Sequence, residues 1–440
     1  MGGVDDVFMD ESAAGRFDGF VSRLAGVIGH ADRHAPLRAY VTGLLLPGDR
    51  KSVEPMAARL APRDLGRVHQ SLHHFVSTAA WDCEALLMAA RDYALSQLER
   101  HAPVAAWIVD DTGIPKKGDH SVGVTRQYCG ALGKTANCQV AVCVSLANRV
   151  MSVPAAWQLF LPKEWVEDEE RRARAGVPAE LGYRSKWQIA LAEVDRLLAD
   201  DLPPAPVVAD SAYGDVTAFR EGVMQRGLPY AMAIRGATTV WPPGRQPLPP
   251  VKQPGSPGKP RTRVRREKDH KPVSVERLAR SLTDDAWHTL TWREGSKGTI
   301  TSRFAALRIR PAHRDNERSE ARPVEWLLIE WAQGDNAPGK YWLSTLPEHV
   351  AVAELVTLAK LRWRVERDFQ ELKDELGLDH YEGRNYRGFH NHGVLCIAAY
   401  CFLAAERGRL SPLATLSFLQ SPQVPRGFKP RGAANQTRTP

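Results

Sequence analysis

Three acidic residues stand where their side chains could act together. Asp110 ends the apolar run PVAAWIVD and Asp210 ends the run PVVAD, and both runs are typical of buried β-strands. Glu366 lies in the stretch from Leu358 to Leu378, which we predict to be one amphipathic helix. Carboxylate oxygens are preferred ligands of Mg2+, and two such ions about 3.5–4 Å apart can activate water at a phosphodiester. A single aspartate after a strand is more often a turn or cap residue, so the metal hypothesis requires all three acids.

Two basic residues share the helical face of Glu366. At 100° per residue, Arg362 and Lys373 fall on the same narrow stripe as Glu366, beside an apolar stripe that would pack on the core. This spacing predicts a carboxylate held ionised between two cations, which suits metal coordination better than proton donation. The alternative is a surface helix in which the same residues form ordinary ion pairs.

The composition describes a chain of two or three domains with excess basic charge. The 440 residues are 43% hydrophobic and 25% charged, with a formal net charge of +8, and this length exceeds what one simple core holds. Basic charge favours a polyanionic partner. The six cysteines lack zinc-ligand spacing, and there is no secretory signal and no apolar run of about 18 residues. We therefore predict a cytoplasmic protein with reduced cysteines and no membrane segment.

The pattern along the chain predicts five regions. Helical periodicity comes first, then strands alternating with helices, then a basic Pro/Gly-rich loop followed by more strands, then helices and an aperiodic basic end. We predict a helical N-terminal DNA-binding domain, the first part of a sheet domain, a β-rich insertion, the second part of the sheet domain and a disordered tail. In that order, their predicted bounds are residues 1–100, 101–236, 237–340, 341–410 and 411–440.

The sheet domain is predicted to begin with an antiparallel meander of three strands, Ala105–Asp110, Cys138–Ala147 and Val150–Leu159. A helix, a fourth strand ending at Asp210, a second helix and the fifth strand YAMAIR follow. This order predicts a mixed α/β sheet, in which sites form where strand ends meet loops. Asp110 and Asp210 would converge if the first and fourth strands are neighbours.

The late helical stretch carries a recognisable signature. Arg362 lies four residues before Glu366, and Lys373 lies seven residues after it. These spacings resemble the Tyr-Arg-Glu-Lys signature of DDE transposases of bacterial insertion sequences, in the branch with an inserted β domain before the glutamate. The tyrosine of the signature would fall at Ala359 and is absent.

The two aspartate motifs extend this resemblance. Asp110-Asp111-Thr112 is similar to the family's Asp-x-Thr motif, and VVADSAYG is similar to its second motif, a strand and an aspartate with a nearby Tyr-Gly. The runs DDTGIPKKGDHSVGVTRQYCGALGKTANCQV and LDHYEGRNYRGFHNH look most like the insertion sequence 701 family. The motif selects Asp110 as the first acid. Because adjacent residues on a strand point to opposite faces, Asp111 would then be a supporting or turn residue.

The resemblance implies an RNase H-like mixed sheet, interrupted by the β-rich insertion and preceded by the all-α domain. It also implies that Asp110, Asp210 and Glu366 are the catalytic residues and the ligands of two Mg2+ ions, for which Mn2+ can substitute. The expected partner is double-stranded DNA, both the terminal inverted repeats and the target, bound by a homodimer. A tryptophan of the insertion could stack a flipped base. The residues expected to contact DNA are basic: Arg362, Lys373, Lys116, Lys117, Arg126, Arg263, Arg265 and Arg266.

The function implied is cut-and-paste transposition. Hydrolysis at the transposon ends would leave a free 3′-OH, which would then attack target DNA. Two alternatives remain open at this point. One is a nuclease of the same fold that cuts without joining strands, and the other is a domesticated DNA-binding protein without catalytic activity.

Overall fold

The computed structural model describes residues 12–251, 257, 259, 262–295 and 298–410. The predicted disordered tail, residues 411–440, and part of the predicted basic loop lie outside the described residues.

The N-terminal region is helical, as predicted. Ser12 caps the first helix and Asp82 caps the fifth, each by accepting backbone N–H bonds that would otherwise be unpaired. The fifth helix packs along the last helix that the structure describes, so this region shares the main hydrophobic core. Its helices are α1 (Ala13–Ala25), α2 (His34–Leu45), α3 (Val53–Leu60), α4 (Leu65–Ser77) and α5 (Cys83–His101), with a short 3-10 turn at Ala31–Arg33.

The first part of the sheet domain contains six strands and five helices. The strands are β1 (Ala106–Pro115), β2 (Thr125–Cys129), β3 (Lys134–Ala147), β4 (Ser152–Leu159), β5 (Val207–Ala209) and β6 (Tyr230–Ile234). The helices are α6 (Lys163–Glu167), α7 (Glu169–Ala175), α8 (Lys186–Ala199), α9 (Ser211–Gly214) and α10 (Thr217–Gln225), and a 3-10 turn spans Gly130–Leu132. The predicted antiparallel meander is confirmed, because β3 pairs with β1 on one side and with β4 on the other.

The strands that carry the two aspartates are neighbours. β5 lies between β1 and β6 and is parallel to both, with Val109 opposite Ala209. Helix α8 leads into β5, and helices α9 and α10 connect β5 to β6, which is the crossover that this parallel pair needs. Asp110 and Asp210 each follow the last paired residue of this ladder, so the convergence expected from the sequence is present.

Two predictions about this part of the sheet were wrong. The first strand does not end at Asp110 but continues to Pro115, since its backbone ladder with β3 runs on from Asp110–Cys143 to Pro115–Cys138. The residues between the first two predicted strands, for which no strand was predicted, contain β2, which pairs with the first residues of β3. In both cases a long partner strand supplies the hydrogen bonds, whatever the polarity of the local side chains.

The residues predicted as an insertion form further strands of the same sheet. Their elements are β7 (Thr239–Trp241), β8 (Val273–Ser274), α11 (Val275–Arg280), β9 (His288–Gly295), β10 (Gly298–Pro311) and β11 (Glu325–Ala332), with 3-10 turns at Asp284–Ala286 and Asp315–Glu317. Strand β12 (Lys340–Ser344) lies between β6 and β11, and the main path of the sheet runs β2-β3-β1-β5-β6-β12-β11-β10-β7-β8. The mixed α/β fold with an N-terminal helical region is therefore confirmed, while the domain boundaries stay predictions.

The stretch from Leu358 to Leu378 is not the single helix that the sequence predicted. It is divided between α12 (Val352–Lys360) and α13 (Trp363–Asp374). The backbone makes a tight turn at Leu361 and Arg362, where the N–H of Arg364 bonds to the carbonyl of Leu361 at 3.1 Å. Arg362 is therefore the residue directly before α13, and the predicted continuous stripe is interrupted at this turn.

The last helix that the structure describes is α14 (Tyr386–Leu410), and it packs on α5 and β4. Among the described residues, it is also the one helix with the length and composition to cross a membrane. Its apolar window, within Tyr386–Arg409, is 94% buried inside the protein, which is the pattern of a core helix.

His390 of α14 should make the fold less stable as the pH falls below 6.5. Its Nε2 accepts the Leu159 N–H at 3.3 Å and its Nδ1 faces the Tyr386 carbonyl at 3.0 Å, so the ring is held neutral. Burial lowers its pKa from 6.5 to about 4. The unfolded chain therefore takes up a proton between these pH values while the native protein does not, which costs roughly 3 kcal/mol.

Urea unfolding between pH 7 and 4 would measure this contribution. His390→Gln should flatten the fall in unfolding free energy over this window, whereas the exposed control His120→Gln should not. Equal slopes for wild type and His390→Gln would contradict the prediction.

Candidate active site

Asp110 and Asp210 lie side by side at the point where the parallel ladder between β1 and β5 ends. Asp110 is buried, and its Oδ1 accepts the Asp111 N–H at 2.9 Å. Asp210 caps α9, since its Oδ1 accepts the N–H groups of Ala212 at 2.9 Å and Tyr213 at 3.4 Å. Asp210 is therefore a helix cap, which is one of the roles that its sequence position allowed. The cap uses only one of its two carboxylate oxygens.

Arg362 connects the third acid to the first. Its Nη1 donates to Asp110 Oδ2 at 2.6 Å, and its Nη2 donates to Glu366 Oε1. The Glu366 side chain is 57% exposed, whereas that of Asp110 is 12% exposed. The turn between α12 and α13 thus brings the guanidinium over the end of the β1–β5 ladder, and Glu366 with it.

Lys373 does not hold Glu366 from the other side, and this part of the prediction was wrong. Its ammonium donates to the carbonyl oxygen of Gly113 on β1 at 3.0 Å. Because β1 continues past Asp110, it offers Lys373 a backbone acceptor that a strand ending at Asp110 would not have had. Lys373 therefore ties α13 to β1.

Burial and mutual repulsion raise the pKa values of the two aspartates. The pKa of Asp110 is raised from 3.8 to about 7, first by burial and then by Asp210 and Asp111, against the lowering effect of Arg362. The pKa of Asp210 is also raised, first by burial, although Arg362 and the backbone N–H groups act in the opposite direction. A buried and a half-buried acid whose charged forms are disfavoured are typical of a functional site.

Asp110 should destabilise the fold at high pH. Its carboxyl holds a proton more tightly in the native state than in the unfolded chain, so its contribution to stability is lost as the pH rises from about 4 to 7. Asp110→Asn should therefore be more stable than wild type at pH 8, by on the order of 2–4 kcal/mol, and about equally stable at pH 4. Chemical unfolding at the two pH values checks this, and the same difference at both would contradict it.

Asp111 has different partners from Asp110. Its Oδ2 accepts from Lys186 Nζ at 3.1 Å and from the Tyr213 hydroxyl at 3.3 Å. These contacts give Asp111 an internal ion pair with α8, while Asp110 faces Arg362. The choice of Asp110 as the first acid stays a prediction that this geometry favours.

The Tyr-Gly pair after Asp210 has a structural reason that sequence reasoning missed. Tyr213 is buried, and its hydroxyl reaches Asp111. At Gly214, a Cβ atom would lie 1.9 Å from the carbonyl oxygen of Ala233 on β6, so only glycine lets α9 approach the sheet this closely. The motif was visible in the sequence, but its contacts were not.

The basic residues predicted to contact DNA fall into three groups. Lys117, Arg126 and Arg263 are exposed. Lys116 and Lys373 donate to backbone carbonyls, the former to Tyr381 at 2.6 Å, and burial lowers the pKa of Lys116 to about 8. The remaining three form ion pairs: Arg265 with Glu267, Arg266 with Asp315, and Arg362 with both Asp110 and Glu366.

The donor atoms fit a hard divalent cation. Asp110, Asp210 and Glu366 offer only carboxylate oxygens. Across the described residues, however, no three His, Cys, Asp or Glu side chains form a group that could hold a metal ion. The Arg362 guanidinium lies between Asp110 and Glu366, so a cation shared by these two acids requires it to give up at least one of them.

The chain belongs to the DDE superfamily endonucleases, whose family model matches residues 23–299. Asp110 and Asp210 lie inside the matched residues, and Glu366 lies beyond them.

A curated relative is the probable transposase for insertion sequence element IS701 from Microchaete diplosiphon. It is 35% identical over 167 residues, which make up 38% of this chain and 40% of the relative. The chain thus matches well under half of the relative's length.

Proposed function

We propose that this protein is a DNA transposase of the insertion sequence 701 type that moves its element by cut-and-paste transposition. The observation that carries the proposal is the placement of Asp110 and Asp210 on adjacent parallel strands, with Arg362 connecting Asp110 to Glu366. Membership of the DDE superfamily endonucleases and the similarity to a probable transposase support it.

In this proposal Asp110, Asp210 and Glu366 hold two Mg2+ ions, for which Mn2+ can substitute. When bound, the cations would supply positive charge for the attacking and leaving oxygens of a phosphodiester. Arg362 would exchange a carboxylate partner for a phosphate of DNA, to which a guanidinium binds with two parallel hydrogen bonds. Lys373 would keep α13, and with it Glu366, against β1.

The reaction proceeds in two displacements at phosphorus. Water attacks the phosphodiester at the transposon end, and the bond to the 3′ oxygen breaks to leave a free 3′-OH. That hydroxyl then attacks a phosphodiester of the target, forming one new bond as the target's own bond to its 3′ oxygen breaks. The number of phosphodiester bonds is unchanged in the second step, and no covalent enzyme intermediate is needed.

Two DNA ends have to be joined to one target, so we propose a homodimer on DNA. The N-terminal helices and the strands of residues 237–340 would bind the terminal inverted repeats. The exposed side chain of Arg263 would contribute charge to this surface, whereas the exposed Lys117 and Arg126, which follow the first acid, would hold the DNA near the cut.

A strand-joining assay tests the proposed function. Labelled DNA carrying the element's ends, together with a target plasmid and Mg2+ or Mn2+, should give cleaved ends and end–plasmid joint products. Cleavage without joint products would favour a nuclease of the same fold. Binding to the ends without cleavage would favour a domesticated DNA-binding protein.

A further inference from the structure

A pocket beside β10 is lined by three arginines and, among the residues that the structure describes, by no acidic side chain. Its volume is about 270 Å³. Arg308 and Arg310 are two residues apart on β10, so both side chains leave the strand on the same face. The lining residues are Pro242, Gly244, Arg245, Gln246, Arg308, Ile309, Arg310 and Val324.

Arg308 has too few hydrogen-bond acceptors in this pocket. Its guanidinium lies 4.8 Å from the centre of the Trp326 ring, and its Nη2 makes one long bond of 3.4 Å to the carbonyl of Val324. Its Nε and Nη1 atoms are buried and have no hydrogen-bond partner among the described residues. Burying unpaired donors on a charged group is costly, and an anion in the pocket would remove that cost.

The neighbouring charges do not satisfy Arg308. Glu325 interacts electrostatically with it, but this carboxylate is buried, accepts from the Tyr230 hydroxyl at 2.5 Å and also faces Arg220 and Arg322. Arg310 donates to the carbonyl of Arg322, which leaves its own positive charge unneutralised.

Arg245 completes the pocket from an exposed turn. Its N–H bonds to the carbonyl of Pro242 at 3.0 Å, and Gly244 has a φ of +75°, which matches a turn that needs glycine at its third position. The turn holds the Arg245 backbone at the pocket while its exposed side chain can reach an anion. Three guanidiniums around one concave site favour a phosphate, which accepts bidentate bonds from arginine.

We propose that this pocket binds a backbone phosphate of DNA. The proposal rests on the proposed function, since it takes the polyanion to be the DNA that the site cuts. β10 is five inter-strand steps from β1 along the sheet, or roughly 24 Å at about 4.8 Å per step. For a duplex that runs across the strands of the sheet, at about 3.4 Å per base pair, the phosphate bound here would lie roughly seven base pairs from the one that is cut.

The salt dependence of DNA binding tests the pocket without cleavage. Without divalent metal, the double variant Arg308→Gln/Arg310→Gln should bind end-containing duplex about 10-fold more weakly than wild type. The slope of log affinity against log salt should fall by about one unit for each phosphate that the variant no longer binds. Arg245→Gln changes only an exposed side chain and should lower the slope in the same direction. The control Arg280→Gln also removes one positive charge, as Arg245→Gln does. Because Glu276 already neutralises Arg280, this control should leave the slope unchanged.

Duplex length and inorganic phosphate separate the possible outcomes. A duplex extending only about three or four base pairs from the cut should bind wild type and variants equally, whereas one extending about ten or more should distinguish them. Unchanged slopes in the double variant and in Arg245→Gln would overturn the proposal that this pocket binds DNA phosphate but leave the proposed function standing. A third outcome is that inorganic phosphate stabilises wild type against heat while the variants bind DNA as wild type does. The pocket would then be a site for free anions, and this outcome would also overturn the proposal. Wild type that binds no duplex would overturn both proposals.

Discussion

Replacing Asp110 or Asp210 with Asn, or Glu366 with Gln, should abolish metal-dependent cleavage at the element's ends. Each substitution keeps the size of the side chain but removes the negative charge that a divalent cation needs. We expect the rate to fall by about 10²–10³-fold or more, the range for losing one group that stabilises charge in a transition state. Labelled end-containing DNA with Mg2+ or Mn2+ gives the rate, and binding in the absence of metal should be retained.

Asp111→Asn is the matched control. It makes the same change one residue along the same strand, but Asp111 pairs with Lys186 and Tyr213 rather than with Arg362. Its cleavage rate should stay much closer to that of wild type. Equal losses for Asp110→Asn and Asp111→Asn would mean that the first acid is wrongly assigned. Cleavage that survives all three primary substitutions would mean that the active site lies elsewhere.

Lys360→Met should strongly destabilise the protein. Lys360 ends α12, and its ammonium is buried in an ion pair with Glu330 of β11. It also lies 4.3 Å from the centre of the Trp292 ring and 5.0 Å from that of Trp342. Removing the lysine leaves a buried carboxylate without its main partner, which costs about 3–5 kcal/mol. Urea unfolding at neutral pH would measure this loss.

A double-mutant cycle separates the ion pair from the packing. Glu330→Gln in the Lys360→Met background should restore part of the stability, because the buried carboxylate is no longer charged. Lys340→Met is the control, since Lys340 is 63% exposed and 3.9 Å from the same glutamate; it should change stability by less than about 1 kcal/mol. A Lys360→Met variant as stable as wild type would contradict the prediction.

The same ion pair connects the strands of residues 237–340 to the candidate active site. Lys360 is two residues before Arg362, which bridges Asp110 and Glu366. We therefore expect the position of the turn between α12 and α13 to depend on Glu330. We expect Lys360→Met, at a temperature where it is still folded, to lower the cleavage rate as well.

Local sequence signals predicted the strands beside the two aspartates, since Asp210 directly follows β5 and Asp110 lies within β1. Apolar runs rich in Val, Ile and Ala predicted β5 and the start of β1, and helical periodicity predicted the N-terminal helices. The same signals predicted that Asp110 and Asp210 would converge if the first and fourth strands were neighbours, and the parallel pairing of β1 with β5 meets that condition. The spacing of Arg362 and Glu366 predicted their ion pair, because residues four apart in a helical backbone are neighbours.

Only the tertiary structure decided how far each element extends and which partner each charge takes. β1 runs past Asp110 because β3, distant in sequence, continues the hydrogen-bond ladder. Lys373 bonds to Gly113 and Arg362 to Asp110 because the end of β1 lies against α13. Side-chain spacing along one helix describes only neighbours on that helix, whereas a buried charge pairs with whatever the fold places beside it. Those contacts join residues that are more than 200 positions apart in the chain.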